Sequence, residues 1–167
     1  MTLVVRSTTT IEATQTATAD LSSPTDPLAV TKRVDLASGT GANQADLMFH
    51  DRRTLAASAT EDLDLAGVLT DKFGAPLTFA RIKEIWITAA AANTNNVNVT
   101  RPASNGVPLF IAAGDGIPVL PGGAFHWIAP NAAAIAVTAG TGDLLTITNS
   151  AGTTGVTYDV IIIGASA

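Results

Sequence analysis

Acid–base chemistry needs a titratable group beside a nucleophile, and two histidines, His50 and His126, are available to supply it. His50 precedes Asp51-Arg52-Arg53, and His126 lies between Phe125 and Trp127. Neither spacing brings an imidazole to a carboxylate and a nucleophile, and the aromatic neighbours make His126 a partly buried packing residue. Glu61, Asp62 and Asp64 form an acidic cluster with Asp71 close behind. Such a cluster invites calcium, yet the alternating oxygen ligands, glycine and distal glutamate of an EF-hand loop are missing. Strand spacing puts Asp62 and Asp64 on one face and Leu63 and Leu65 on the other, which reads as a solvated face. Gly39-Thr-Gly41 and Gly114-Asp-Gly116 lack the strand–helix setting or the lysine of a phosphate cradle and read as turns. Asn98-Val-Thr100 matches a glycosylation sequon, which has meaning only with a secretory signal. No catalytic residue, cofactor or metal site is expected, and the chain reads as a non-enzyme.

What remains is surface for binding. Arg52-Arg53 is a basic pair that could dock on an acidic neighbour or serve as a solvated strand end. The apolar residues Leu3, Val4, Val5 and Ile11, and the aromatic pair Phe125 and Trp127, complete the candidate interface set. Charged residues make up only 14% of the chain, against roughly 25% in an average domain. After Arg101 there is no Lys or Arg at all. A portion this bare hides surface against copies of itself or a partner, unless Thr, Asn and Ser keep it wet. The net charge of −5 argues against nucleic acid, which needs a basic stripe. No cysteine is present, so no disulfide framework is expected. Met1–Ser7 lacks the charged and apolar regions of a signal peptide, and the apolar run Val160–Ile163 is far too short to span a bilayer.

The elements that position these residues read as strands. Hydrophobic residues are 47% of the chain and aromatics 5%, so the core material is Ala, Val, Ile and Leu among abundant Thr and Gly. Residues 1–27, rich in Thr and closing in Ser22-Ser-Pro-Thr-Asp-Pro27, read as an extended arm. It adds a strand to a neighbour, lies over its own body or frays. Residues 28–167 form a single domain. Its expected strands are Leu28–Leu36, Ala45–His50, Thr60–Leu65, Arg81–Ala90, Val97–Arg101, Ala124–Ala129 and Ile135–Thr138. Val107–Ile111 and Ile117–Leu120 are edge strands at best, because each contains a proline. Asn93–Asn96 reads as a hairpin turn. Asp143–Asn149 and Val156–Gly164, separated by Ser150–Gly155, read as a hairpin with a longer loop. The second of these runs carries apolar residues on both faces at its end, which marks a central strand. Turn signals at roughly 8–12-residue spacing predict an all-β fold, an antiparallel β-sandwich of jelly-roll type with an extended N-terminal arm.

Four stretches resemble a family of small virion structural proteins of tailed bacteriophages. They are Arg53–Leu65, Phe79–Ile87, Pro121-Gly-Gly-Ala-Phe125, and Gly142–Asn149 followed by Val156–Gly164. The match covers about two thirds of the chain from Arg53 onward and rests on the order of the stretches, none of which is a catalytic motif. The resemblance implies a capsid decoration (cement) protein, made in the host cytoplasm and bound to the virion surface. Its partners would be further copies of itself, with a trimer as the first guess, and the major capsid protein. A tail or fibre component contacting the host surface is the alternative.

Overall fold

The computed structural model describes residues 2–167, and among these there is no helix. The strands are β1 (Val5–Thr16), β2 (Thr25–Ser38), β3 (Gln44–Ala45), β4 (Leu47–Leu55), β5 (Thr60–Asp64) and β6 (Arg81–Ala89). They continue with β7 (Val97–Thr100), β8 (Gly116–Val119), β9 (Ala124–Ile128), β10 (Ile135–Ala136), β11 (Leu144–Asn149) and β12 (Val156–Ala165). Two antiparallel sheets make a sandwich-like body. One has the order β10-β6-β12-β4, with β9 also on β6; the other has the order β5-β11-β7-β8. A third sheet joins β1 and β2, antiparallel, to the short parallel strand β3.

Strict alternation builds the core. In β11 Leu145 and Ile147 are fully buried between half-exposed Thr146 and Thr148, and in β7 Val97 and Val99 alternate with Asn98 and Thr100. The first sheet answers with Ile85 and Ile87 from β6, Phe49 and Leu55 from β4, and Tyr158, Val160 and Ile162 from β12. All belong to one cluster that spans both sheets. Burying one such aliphatic side chain contributes about 1.5–3 kcal/mol, so this layer dominates the stability of the body.

The expected hairpin between Asp143–Asn149 and Val156–Gly164 does not form. β11 and β12 lie in different sheets, and residues 150–155 cross between them. Asn93–Asn96 likewise links β6 to β7 across the sandwich rather than turning a hairpin, and β4 to β5 is a third crossing at the same end. Buried asparagines stitch these crossings. Asn95 Nδ2 donates to Asn149 Oδ1 at 3.0 Å, and Asn149 Nδ2 donates to the carbonyls of Ala56 (2.9 Å) and Thr154 (2.7 Å). A buried amide must find partners, and here the partners are the backbones that a tight hairpin turn would have paired with themselves.

β12 is central, as its composition predicts, flanked by β4 and β6. Its two faces differ. Val156, Tyr158, Val160 and Ile162 enter the main core, while Ile161 and Ile163 join a second small cluster with Leu36 and Ala45. Arg81–Ala89 is a strand as expected, and Asp51–Arg53 lie inside β4 rather than at its end. Ile117–Leu120 corresponds to β8, an edge strand with Pro118, but Val107–Ile111 is irregular.

The largest departure is at the N-terminal arm. The expected boundary between residues 27 and 28 falls inside β2, and the two strands pair from Val5↔Leu36 to Thr16↔Thr25 as one long ribbon. Every residue from Thr8 to Arg33 is exposed. The ribbon is anchored where β2 returns to the body. There Asn43 N–H donates to Pro130 O at 2.7 Å, and the fully buried Lys83 donates to the carbonyls of Gly41, Asn131 and Ala132. Lys83 is free for this because the β6–β12 register shifts: Glu84 pairs with Ile163 and Ile82 with Gly164. The extra residue is a β-bulge that re-aims a side chain.

Gly164 makes the bulge possible. A Cβ there would overlap the Arg81 carbonyl oxygen and come within 2.6 Å of the Phe79 ring. Replacing Gly164→Ala should therefore cost about 1–3 kcal/mol, the usual penalty of overpacking. Urea unfolding checks this; an unchanged midpoint would show that the bulge relaxes freely.

Candidate interaction surface

The outer faces of the two sheets are chemically unlike. On the β5-β11-β7-β8 sheet, Thr60, Asp62, Thr146, Thr148, Asn98 and Thr100 face outward. Thr60 and Thr148 hydroxyls lie 3.1 Å apart, and Thr146 Oγ1 donates to Asp62 Oδ1. Hydroxyls and amides wet this face, which accounts for the scarcity of charge in β7 and β11. The acidic residues are dispersed rather than gathered. Asp64 caps the Ala66 N–H, Asp71 accepts from the N–H groups of Phe73 and Ala75, and Glu61 turns inward. Among the described residues no group of three or more His, Asp or Glu could hold a metal ion.

The outer face of the other sheet is apolar at its middle. Ile161 of β12 pairs with His50 of β4 and Trp86 of β6, and Trp86 pairs with His126 of β9. The next row brings Met48, Ile163 and Glu84 together. Trp86 is 44% and Met48 38% exposed. Beside them Arg52 makes a two-pronged pair with Asp159 at 2.6 and 2.9 Å, which holds the Asp159 carboxyl below its ordinary range.

The base of the ribbon lies across this face. Cross-strand partners share a face, so one side of the ribbon carries Val5, Ser7, Thr9, Ile11 and Ala13 with Leu36, Val34, Lys32, Val30 and Leu28. The opposite side is polar and carries Arg6, Asp35 and Arg33, with Asp35 accepting from Arg33 (2.8 Å) and Arg6 (3.0 Å). At the base the apolar side packs on Ile161 and Ile163. Ser7 Oγ then donates to Glu84 Oε1 at 2.7 Å, and His126 Nε2 donates to the same oxygen at 2.7 Å. Thr9 Oγ1 sits 3.5 Å from His126 Nδ1.

Serine, glutamate and histidine thus meet, but not as a hydrolytic triad. There the imidazole stands between nucleophile and acid and takes the nucleophile's proton; here the carboxylate stands in the middle and only accepts. The geometry is a latch that ties ribbon to sheet. Glu84 is only 6% exposed, and among the described residues its Oε2 has no partner. His126 is therefore a polar tie on the outer face rather than the packing residue its aromatic neighbours suggest.

The remaining candidates separate. Leu3 and Val5 pack at the ribbon base, Val4 is 77% exposed and Ile11 lies on the apolar side of the free ribbon. Arg52 points outward, whereas Arg53 points inward to Glu61, which also accepts from the Tyr158 hydroxyl at 2.6 Å. Phe125 and Trp127 pack against the main core, Phe125 beside Phe110 with ring centroids 5.9 Å apart. Leu28, Val30, Met48, Trp86 and Ile161 belong to the surface and escape a linear reading. The alternation Ile85-Trp86-Ile87 is the signal that would have marked Trp86 as outward-facing.

Comparison with family models, with curated proteins and with solved structures finds no match to this chain.

Two outcomes are expected. Glu84→Ala should speed amide hydrogen exchange at Ser7 and Thr9 while β11 and β12 amides keep their protection; uniform protection would mean the latch is dispensable. Burial, helped by the bond to Glu61, raises the Tyr158 phenol above its ordinary 10.0. The folded state thus keeps the proton that the unfolded chain releases near pH 10. Its contribution is whole below that pH and is lost as pH rises further. Tyr158→Phe should cost about 1–3 kcal/mol at neutral pH and flatten the alkaline limb of a stability–pH profile.

Proposed function

We propose that this chain is a non-enzymatic structural protein of a tailed-phage virion, a decoration (cement) protein that binds the outer capsid shell as an oligomer. The observation that carries the reading is the ribbon. From Thr10 to Thr16 it runs beyond its last tie to the body, roughly 20 Å of paired strand, with Ile11, Leu28 and Val30 each more than half exposed. An isolated two-stranded ribbon is marginal in water, so one kept this long with an apolar side is built to be covered by a partner.

We further propose that the body is a jelly roll. Strand order supports this: β4, β6, β9, β12 and the two-residue β10 share one sheet and β5, β7, β8 and β11 the other, in the orders β4-β12-β6, with β9 and β10 both on the far edge of β6, and β5-β11-β7-β8. Successive strands wrap inward from both chain ends, as in two interlocked Greek keys. Viral shells use this architecture, and the support from fold alone is by analogy. The sequence resemblance to phage virion proteins points the same way. In this reading each copy bridges capsid subunits, and a modest free energy per contact, repeated over the shell, resists internal pressure.

Quantitative mass spectrometry of a purified particle tests the location. Hundreds of copies on the head are expected; a few copies at the tail would move the protein to the tail or fibre. Replacing residues 10–31 with a short turn should abolish binding to capsids stripped of the protein while leaving the body folded. Full binding by that variant would overturn the role of the ribbon.

A further inference from the structure

The ribbon leaves its own sheet in a definite direction. Ser7 lies over Glu84 on β6 and Thr9 over His126 on β9, so the chain travels from β12 across β6 to β9. Among the described residues β9 pairs only with β6, so the distal ribbon passes the sheet edge into solvent. Its apolar side has two parts, Val5 with Leu36 at the base and Ile11 with Val30 and Ala13 with Leu28 beyond, separated by the Ser7–Val34 and Thr9–Lys32 pairs.

An open groove of about 860 Å³ lies between this sheet and the base of the ribbon, walled on one side by ribbon residues such as Val4 and on the other by Met48, Trp86 and Ile161. The ribbon's own distal half cannot fill it, because that half is carried away over the β9 edge. Yet the molecule already displays what this face accepts. Its covered part is covered by a ribbon, apolar side down, with Val5, Val34 and Leu36 on Ile161 and Ile163.

We propose that the groove beside Trp86 receives the distal ribbon of a second copy of this chain. Ile11, Val30 and Leu28 of one copy lie on Met48 and Trp86 of the next, extending the intramolecular ribbon layer across the subunit boundary. The contact joins two different surfaces, so it is heterologous and closes into a ring when the rotation permits. It deepens the oligomeric part of the function proposed above and rests on it there. It is tested on purified protein, so its failure is distinct from a failure to find the protein on a capsid.

The chain has no cysteine, which makes directed cross-linking clean. Chains carrying Val30→Cys and chains carrying Met48→Cys are mixed and oxidised. A disulfide-linked pair containing one of each is expected, with little product from either variant alone. Strong cross-linking by Val30→Cys alone would show ribbon pairing with ribbon and overturn the proposal. In parallel, light scattering should give an oligomer for the unmodified chain. Ile11→Ser with Val30→Ser, and separately Trp86→Ala, should each weaken self-association about tenfold or more. Ile11, Val30 and Trp86 are exposed, so circular dichroism should show the fold intact. A monomeric mass for the unmodified chain, or an oligomer indifferent to either variant, would overturn the inference.

Discussion

β12 is hydrogen-bonded along both edges, to β4 and to β6, and at its C-terminal end it is covered on both faces. Its inner side chains, Tyr158, Val160 and Ile162, are the floor on which the opposite sheet packs. Its outer side chains, Ile161 and Ile163, are the floor for the ribbon. One strand thus serves two hydrophobic layers. The bulge opposite Gly164 follows from this double duty. It releases Lys83 from the ladder, and Lys83 then satisfies three carbonyls where the ribbon meets the body.

Buried polar groups decide the connections as firmly as aliphatic groups decide the layers. Asn93, Asn95 and Asn149 hold together the loops that cross between sheets, and each amide is bonded to backbone or to another amide. Leaving such a donor unpaired costs about 1–3 kcal/mol, so these loops are selected for a geometry in which every amide is satisfied. At the outer face the same rule gives the latch of Ser7, Glu84 and His126, where the carboxylate gathers donors from the ribbon and from the sheet edge.

The functional asymmetry grows from the outward side chains. A face of Thr and Asn hydroxyls and amides exchanges water cheaply and needs no cover. A face centred on Trp86, Ile161 and Met48 loses free energy while it stays wet, at about 25 cal/mol for each Å². The ribbon covers part of it and carries the same apolar chemistry outward. A single molecule thus carries an open groove beside Trp86 and an exposed apolar stripe on the distal ribbon.

Much of this was legible in the residues themselves. The all-β class, most strand positions, the central place of Val156–Gly164, the edge character of Ile117–Leu120 and the outward Asp62 and Asp64 follow from period-2 alternation, proline and β-branched composition. These are local properties, and the backbone expresses them wherever the strand is placed. Pairing is not local. Nothing between Asn149 and Val156 distinguishes a hairpin loop from a crossing; the buried partners of Asn95 and Asn149 decide it, and they come from residues far apart in the chain. The same holds for the arm, whose Thr-rich strand found its complement in Thr25–Ser38, and for His126, whose neighbours in sequence are aromatic but whose neighbour in space is Glu84. The sequence by itself determined which residues form strands and which side of each strand is apolar. Only the tertiary structure decided which strands meet, because burial and hydrogen-bond satisfaction are properties of the assembled layers and not of any one segment.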